Sequence, residues 1–193
     1  PGSSFVNANT PLRDALTHEA VHIAAQHTSL GADYIPLWQI IDEKALVNGI
    51  VGLCATGGST NHTLHLIAMA RAAGIIINWQ DMAELSAITP LLCRIYPNGQ
   101  ADVNHFHAAG GMPLLISMLL DGGLLHEDVT TILGKGLSRY RQEPQLKDTK
   151  IIWQPSLRHS SAPDIIAAVE TPFAPEGGIV LLQGNLGRSV MKT

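Results

Sequence analysis

Apolar side chains recur at helical spacing in several stretches of the chain, and capping residues mark where these stretches begin. Thr10 followed by Pro11 has the features of an N-cap and a first helical residue, and predicts a helix that runs to about Thr28. The apolar face of this helix comprises Leu12, Ala15, Leu16, Ala20, Ile23 and Ala24. Ser59 predicts the cap of a second well-defined helix, which Gly74 closes.

Further helices follow from weaker signals. Asn78 with Asp81 three residues later resembles a capping box and predicts a helix that stops before Pro90. Pro36 predicts the start of another helix, with a break at residues 48–49, and the apolar run 50–55 fits either a buried helix or a buried strand. Two more helical pieces are expected on either side of Gly110 and Gly111, over 102–109 and 113–120, and a helical turn or two over 135–141.

Short β-branched or apolar runs predict strands, and turn residues separate them. A polar stretch over 143–155 is expected to be irregular, and places a boundary near residues 145–163. The predicted strands are 75–77, 91–96, 129–133, 165–169 and 177–184, with a further strand pattern at the end of the chain.

Composition narrows the class of protein. Charged residues are 15% of the chain and hydrophobic residues 46%, whereas about 25% charged residues is usual. Disorder is therefore excluded, and we expect apolar surface that something else covers. Net charge is −4 with scattered lysines and arginines, which argues against nucleic acid. No apolar run approaches the roughly 18 residues of a membrane span, and two cysteines without a framework spacing favour a reduced, cytoplasmic protein.

One motif points to metal chemistry. His18, Glu19 and His22 form an H-E-x-x-H pattern on a predicted helix, which could place two zinc ligands on one face with a general base between them. Ala25 and Thr28 stand where the extended form of the motif needs Gly and His, so a third ligand would have to come from elsewhere, for example from Glu43. A zinc hydrolase remains an alternative, and two surface histidines are the favoured interpretation.

A second motif points to anion binding. Gly57 and Gly58 lead through Ser59 into Thr60, Asn61 and His62 at the predicted start of a helix. A glycine-rich turn at this place leaves free backbone amides and the positive end of the helix dipole, which suit a phosphate or carboxylate. An ordinary capped helix that needs glycine for a tight turn explains the same residues equally well.

Four segments together resemble the dihydroxy-acid/phosphogluconate dehydratase family, in the family's order and at matching separations. They are ATGGSTNHTLHLIAMA (55–70), HFHAAGGMP (105–113), DGGLLHED (121–128) and GNLGR (184–188). Within the family, NTPLRDAL (9–16), STNH (59–62) and GLSRY (136–140) look most like the 6-phosphogluconate branch rather than the branched-chain dihydroxy-acid branch.

The resemblance implies a lyase that removes water from a sugar-acid phosphate, 6-phosphogluconate, to give 2-dehydro-3-deoxy-6-phosphogluconate in the Entner–Doudoroff pathway. It also implies an iron–sulfur cluster as the metal Lewis acid, [4Fe–4S] in preference to [2Fe–2S], and Mg²⁺. The family's cluster cysteines, magnesium ligands and catalytic serine lie in motifs that this chain does not contain. We therefore expect an internal fragment that has no catalytic residue and is inactive alone.

The fold implied by the resemblance is α/β: the later half of a helix-flanked α/β domain, followed by the first strands of a β-barrel domain. The expected limits are 1–150 for the α/β part, 151–163 for a linker and 164–193 for the barrel strands. Expected partners are the rest of the polypeptide and a second copy in a homodimer, with no nucleic acid and no membrane. The expected substrate-binding residues are Ser59, Thr60, Asn61, His62, Asn185 and Arg188, the last because guanidinium suits phosphate.

Overall fold

The first 121 residues are mainly helical. A computed structural model describes residues 2–192. Two short 3₁₀ turns at Leu37–Gln39 and Ser138–Arg141 accompany the helices. The helices are α1 (Pro11–Gln26), α2 (Glu43–Thr56), α3 (Thr60–Ala72), α4 (Trp79–Ile88), α5 (Val103–Ala108) and α6 (Gly111–Asp121). Within residues 2–192, no helix is both long enough and apolar enough to cross a membrane.

The strands form antiparallel hairpins in the last third of the chain. They are β1 (Thr130–Thr131), β2 (Gly134–Lys135), β3 (Gln142–Lys147), β4 (Lys150–Pro155), β5 (Ile179–Gly184) and β6 (Gly187–Lys192). β1 pairs with β2, β3 with β4 and β5 with β6, and these three sheets do not join into a closed barrel within residues 2–192. The expected mixed α/β class is confirmed, while the assignment of residues 164–193 to a barrel stays a prediction.

Three helix starts predicted from capping residues are confirmed. The Thr10 hydroxyl accepts a hydrogen bond from the Arg13 amide at 3.3 Å and caps α1. Ser59 caps α3, and Asn78 and Asp81 make both hydrogen bonds of a capping box at α4. These caps depend only on residues within one turn, which is why the local sequence predicts them.

The helix predicted to begin at Pro36 begins later in the chain. Only a 3₁₀ turn follows Pro36, and α2 begins at Glu43, where the Asp42 carboxylate accepts from the Ala45 amide at 2.8 Å. The helix then runs through residues 48–49 without a break. The ambiguous run 50–55 is helical because α2 packs against both hydrophobic clusters and needs apolar residues on more than one face.

Three predictions about strands are also wrong. Residues 75–77 and 165–169 are not strands, although Ile166 forms one isolated bridge with Cys93. Residues 143–155, expected to be irregular, lie almost entirely in the β3–β4 hairpin. Its turn has positive φ at Asp148 (47°) and Thr149 (68°), as a two-residue type I′ turn requires, but lacks the usual Asn-Gly signature.

The predicted strand 91–96 is extended, but it makes only isolated bridges. Leu91 pairs with Ala174, Cys93 with Ile166 and Ile95 with Ala101. The predicted strand 129–133 shortens to the two residues of β1, and the predicted 177–184 strand corresponds to β5.

The interior consists of two hydrophobic clusters on either side of α2. The first surrounds Leu92, Phe106, Leu114 and Leu115, and the second surrounds Ile50, Leu53, Leu66, Met82 and Ile179. Because Ile179 opens β5 and Val190 of β6 packs against the second cluster, the β5–β6 hairpin is attached to the helices.

A pair of glycines makes this attachment possible. The Gly177 amide donates to the Ser86 carbonyl at 2.8 Å, and the Gly178 amide to the Cys54 carbonyl at 3.2 Å. A Cβ at Gly177 would lie 2.7 Å from Cys54 Cβ, and one at Gly178 would lie 2.8 Å from Gly57 Cα. Only glycine lets this segment enter between α2 and α4.

We predict that Gly178→Ala destabilises the protein by about 1–3 kcal/mol, because the new methyl group meets backbone that cannot move aside. Gly184→Ala is the matched control, since a Cβ there would have no atom within 4 Å. Urea unfolding measures both variants. Equal midpoints for the two variants would show that the close approach at Gly178 carries no stability.

The cysteines are part of the core. Cys54 is 1% exposed and Cys93 is 0% exposed. Burial raises the pKa of Cys93 from its ordinary 9.0 to about 12. Burial also raises the pKa of Cys54, against a smaller opposing effect of the Ser86 hydroxyl.

We predict that Cys93 makes the free energy of unfolding fall with rising pH between 9.0 and about 12. Below that window both states keep the thiol protonated, whereas within it the unfolded chain loses a proton that the folded chain retains. The expected loss is about 1 kcal/mol per pH unit. Urea unfolding of the protein and of Cys93→Ala, below and inside the window, isolates this contribution. Identical slopes in the two proteins would contradict it.

Candidate functional site

A tight turn joins α2 to α3 and forms one wall of the candidate site. Gly57 ends α2 in the left-handed region, with φ of 57°. A Cβ at Gly58 would lie 2.5 Å from Leu53 Cδ1, so a side chain there would require Leu53 to shift. The turn therefore needs glycine at position 57 for its conformation.

The start of α3 presents backbone donors next to this turn. The Ser59 hydroxyl accepts from the Asn61 amide at 3.2 Å, and the Ser59 carbonyl accepts from the His62 amide at 2.9 Å. Among the described residues the Thr60 amide has no hydrogen-bond partner. A free amide at the positive end of a helix attracts an anion.

These donors border a cavity of about 500 Å³. Gly57, Gly58, Ser59 and Thr60 line it together with several apolar side chains. The apolar side chains include Phe5, Ile95, Val103, Phe106 and Met112. Apolar surroundings lower the local dielectric constant and strengthen the hydrogen bonds made to a bound group.

Lys192 is the one cation that lines this cavity within residues 2–192. It is the last residue of β6, and burial lowers the pKa of its amino group. Docking of the β5–β6 hairpin onto the second core cluster brings it to the cavity, because Val190, two residues earlier on the strand, packs against that cluster.

Sequence reasoning missed Lys192, although a signal was available. Alternate residues of a strand share a face, so an apolar Val190 facing the core predicts that Lys192 points the same way. The partly buried positions of β6 are Val190 and Lys192. A basic residue at the inner face of a terminal strand is therefore the pattern to look for.

The structure brings together only some of the predicted site residues. Ser59 and Thr60 line the cavity. Asn61 and His62, the next two residues of α3, are exposed and do not line it. Asn185 lies in the hairpin turn, and Arg188 pairs with Gln183 near that turn. Arg188 is four residues from Lys192, about 13 Å along an extended strand, and neither Asn185 nor Arg188 lines the cavity. Their roles as substrate contacts stay predictions.

The H-E-x-x-H motif does not acquire a third ligand. His18, Glu19 and His22 are all exposed on α1. Within residues 2–192 no group of three or more His, Cys, Asp or Glu side chains is arranged to hold a metal ion. The zinc-hydrolase alternative therefore lacks a binding site in this part of the chain.

The two thiols do not fit an iron–sulfur cluster. Iron–sulfur clusters are typically held by four cysteine thiolates, whereas the 193 residues contain two cysteines and both are buried in the core. The two cysteines also belong to different hydrophobic clusters on either side of α2. They stabilise the core by packing as small apolar side chains.

Comparisons with known proteins identify relatives of this chain. The chain is 59% identical over 192 residues to a phosphogluconate dehydratase of Pseudomonas aeruginosa, and 56% identical over 193 residues to one of Escherichia coli K12. Each match covers 100% of this chain and 32% of the relative. A dihydroxy-acid dehydratase of Koribacter versatilis is 36% identical over 77% of this chain and 24% of its own length.

The chain thus spans about a third of the curated relatives it matches. Residues 1–140 match the family described as dihydroxy-acid/6-phosphogluconate dehydratase N-terminal. This match covers most of the chain, including all six helices and the glycine-rich turn of the candidate site. The chain belongs to the dihydroxy-acid/6-phosphogluconate dehydratase family.

Proposed function

We propose that this chain is part of a phosphogluconate dehydratase, a lyase that removes water from 6-phosphogluconate and forms 2-dehydro-3-deoxy-6-phosphogluconate. Identities of 59% and 56% to proteins of that name, against 36% to a dihydroxy-acid dehydratase, favour this activity over the branched-chain one. The product places the enzyme in the Entner–Doudoroff pathway.

The observation that carries the proposal is the joint placement of the α3 N-terminus and Lys192 at one cavity. The substrate has a carboxylate and a phosphate, and either group is an anion that backbone amides and an ammonium can hold. In this proposal Thr60 donates its free amide, Lys192 supplies the charge, and the apolar side chains that line the cavity exclude water. Arg188 and Asn185 would contact a more distant part of the substrate.

The cofactors of the proposal lie outside this chain. We propose an iron–sulfur cluster, [4Fe–4S] in preference to [2Fe–2S], together with Mg²⁺, on ligands in the remainder of the polypeptide. The cluster would act as the Lewis acid for the departing hydroxyl group. The residues described here would bind and orient the substrate and would not ligate metal.

The same proposal includes the partners of the chain. We propose that the rest of the polypeptide and a second subunit of a homodimer cover its apolar surface, in the cytoplasm. Large apolar side chains are open to solvent here, including Leu30 (97%), Trp38 (74%) and Ile76 (76%). Such exposure supports coverage by protein.

Replacement of Lys192 tests the anion site. In the full-length enzyme we expect Lys192→Met to raise KM for 6-phosphogluconate about 10–100-fold, because a charge-assisted hydrogen bond contributes about 1.5–3 kcal/mol. The turnover number should change much less, since Lys192 binds the substrate rather than the reacting atoms. Lys150→Met is the matched control, because Lys150 is exposed on β4 and does not line the cavity. Steady-state kinetics in which both variants keep the parent's KM would refute the anion site.

Ser59 and Asn61 separate a structural role of the turn from a binding role. Ser59→Ala should lower the free energy of unfolding by about 1 kcal/mol, because it removes the cap of α3. Asn61 has an exposed side chain with no hydrogen bond to the described residues, so Asn61→Ala should leave stability unchanged and impair turnover or substrate affinity. Urea unfolding and kinetics of the full-length variants measure the two effects. Parent-like kinetics in Asn61→Ala would refute a binding role for the Asn61 side chain.

A further inference from the structure

An open groove that shares no lining residue with the candidate site is formed by α2, α4 and the segment Ile75–Ile77. It has a volume of about 530 Å³. Its floor includes Leu46 and Ile50, which are buried, while Ile76 and Ile88 at its edge are 76% and 65% exposed. We call it the acidic groove because of the charges at its rim.

Every charged residue that lines the acidic groove is acidic. Glu43, Asp81 and Glu84 border it, and no lysine, arginine or histidine does so among the described residues. Lys44 adjoins Glu43 in the chain, but its amino group pairs with Asp128 instead. A segment that enters this groove therefore gains from aliphatic side chains at the floor and cationic side chains at the rim.

The segment Ile75–Ile77 also offers unused backbone groups. The Ile75 amide donates to the Ala70 carbonyl at 2.8 Å, which completes the end of α3. Neither Ile76 nor Ile77 makes a backbone hydrogen bond to any residue in the described range. Three consecutive β-branched residues favour a strand, but this segment has no strand beside it among the described residues and forms none.

We propose that the acidic groove is the docking site of an extended aliphatic segment with Lys or Arg side chains, which pairs with the backbone of either Ile76 or Ile77, since a strand added along one edge bonds alternate residues. The occupant comes from the part of the full polypeptide outside these 193 residues. Family members are about three times as long as this chain, which spans 32% of them, so chain is available to fill the groove. This inference rests on family membership and is independent of the proposed substrate.

Charge argues against a second copy as the occupant. A two-fold contact would place the same patch on both sides of the interface. The carboxylates of Glu43, Asp81 and Glu84 would then face their own counterparts, and like charges brought together lower affinity. A cationic segment of the same polypeptide has no such penalty.

Amide hydrogen exchange of the full-length protein tests the backbone pairing. We expect the paired amide, that of Ile76 or of Ile77, to exchange at least about tenfold more slowly than the amide of Leu186, which lies in an exposed hairpin turn. Exchange of Ile76 and Ile77 at the rate of Leu186 would overturn the proposal.

Carbodiimide cross-linking of the full-length protein tests the chemistry of the occupant. Glu43 and Glu84 should form amide cross-links with lysines outside residues 1–193 of the same polypeptide. A mixture of isotope-labelled and unlabelled protein distinguishes the sources, since cross-links between labelled and unlabelled chains would identify a second copy and refute the proposal. Absence of any cross-link from both glutamates, together with exchange of Ile76 and Ile77 at the rate of Leu186, would refute it as well.

A charge-reversal variant tests whether the acidic residues at the rim hold the occupant. In full-length Glu84→Arg we expect the yield of cross-links from Glu43 to fall at least about tenfold and the protected amide of Ile76 or Ile77 to exchange faster, because the new cation repels the occupant. Glu176→Arg is the matched control, as Glu176 is exposed and does not line the groove. If Glu84→Arg retains the cross-links and the protection of the control, the occupant is not held by this rim.

Discussion

The close approach of two glycine pairs is the constraint on which the rest of the structure depends. Gly57 and Gly58 turn the chain at the end of α2, and Gly177 and Gly178 lie against that same end. Their backbones come so near that a single Cβ on Gly178 would touch Gly57. Because of this contact, the strand that follows Gly178 enters the second core cluster through Ile179.

The position of Lys192 at the candidate site depends on that contact. The β5–β6 hairpin returns toward the helices, Val190 packs on the core, and Lys192 reaches the cavity at the start of α3. A backbone donor and an ammonium that are more than 130 residues apart in sequence thus face one space. The family relationship gives this arrangement a candidate ligand, an anionic sugar acid, without assigning catalytic groups to the chain itself.

Helix α2 connects the two hydrophobic clusters. It packs against both hydrophobic clusters, and it carries Cys54 into the interior while Cys93 enters the other cluster. Burial keeps both thiols protonated, so residues that could suggest metal or redox chemistry in the sequence serve as packing groups. The low proportion of charged residues, 15%, is reflected in apolar side chains that remain open to solvent at the 3₁₀ turn after Pro36 and along the acidic groove.

Features that depend on neighbouring residues could be predicted from the sequence. The caps at Thr10, Ser59 and Asn78 were correct because a cap is a hydrogen bond within one helical turn. The glycine-rich turn was also recognisable, and co-linear motifs placed the chain in its family. The mixed α/β class followed from these elements together.

Features that depend on distant residues could not be predicted from the sequence. Whether Ile75–Ile77 or residues 142–155 form strands is decided by the availability of a hydrogen-bonding neighbour, which local periodicity does not reveal. The sequence offered Arg188 as one candidate phosphate contact, which stays a prediction, and it did not indicate Lys192, which the docking of the hairpin places at the cavity. The sequence alone determined where these capped helices start and to which family the chain belongs, because caps and family motifs both consist of residues that are adjacent in sequence. Only the tertiary structure decided which side chains share the site, because that depends on how the glycine contact orients the last hairpin.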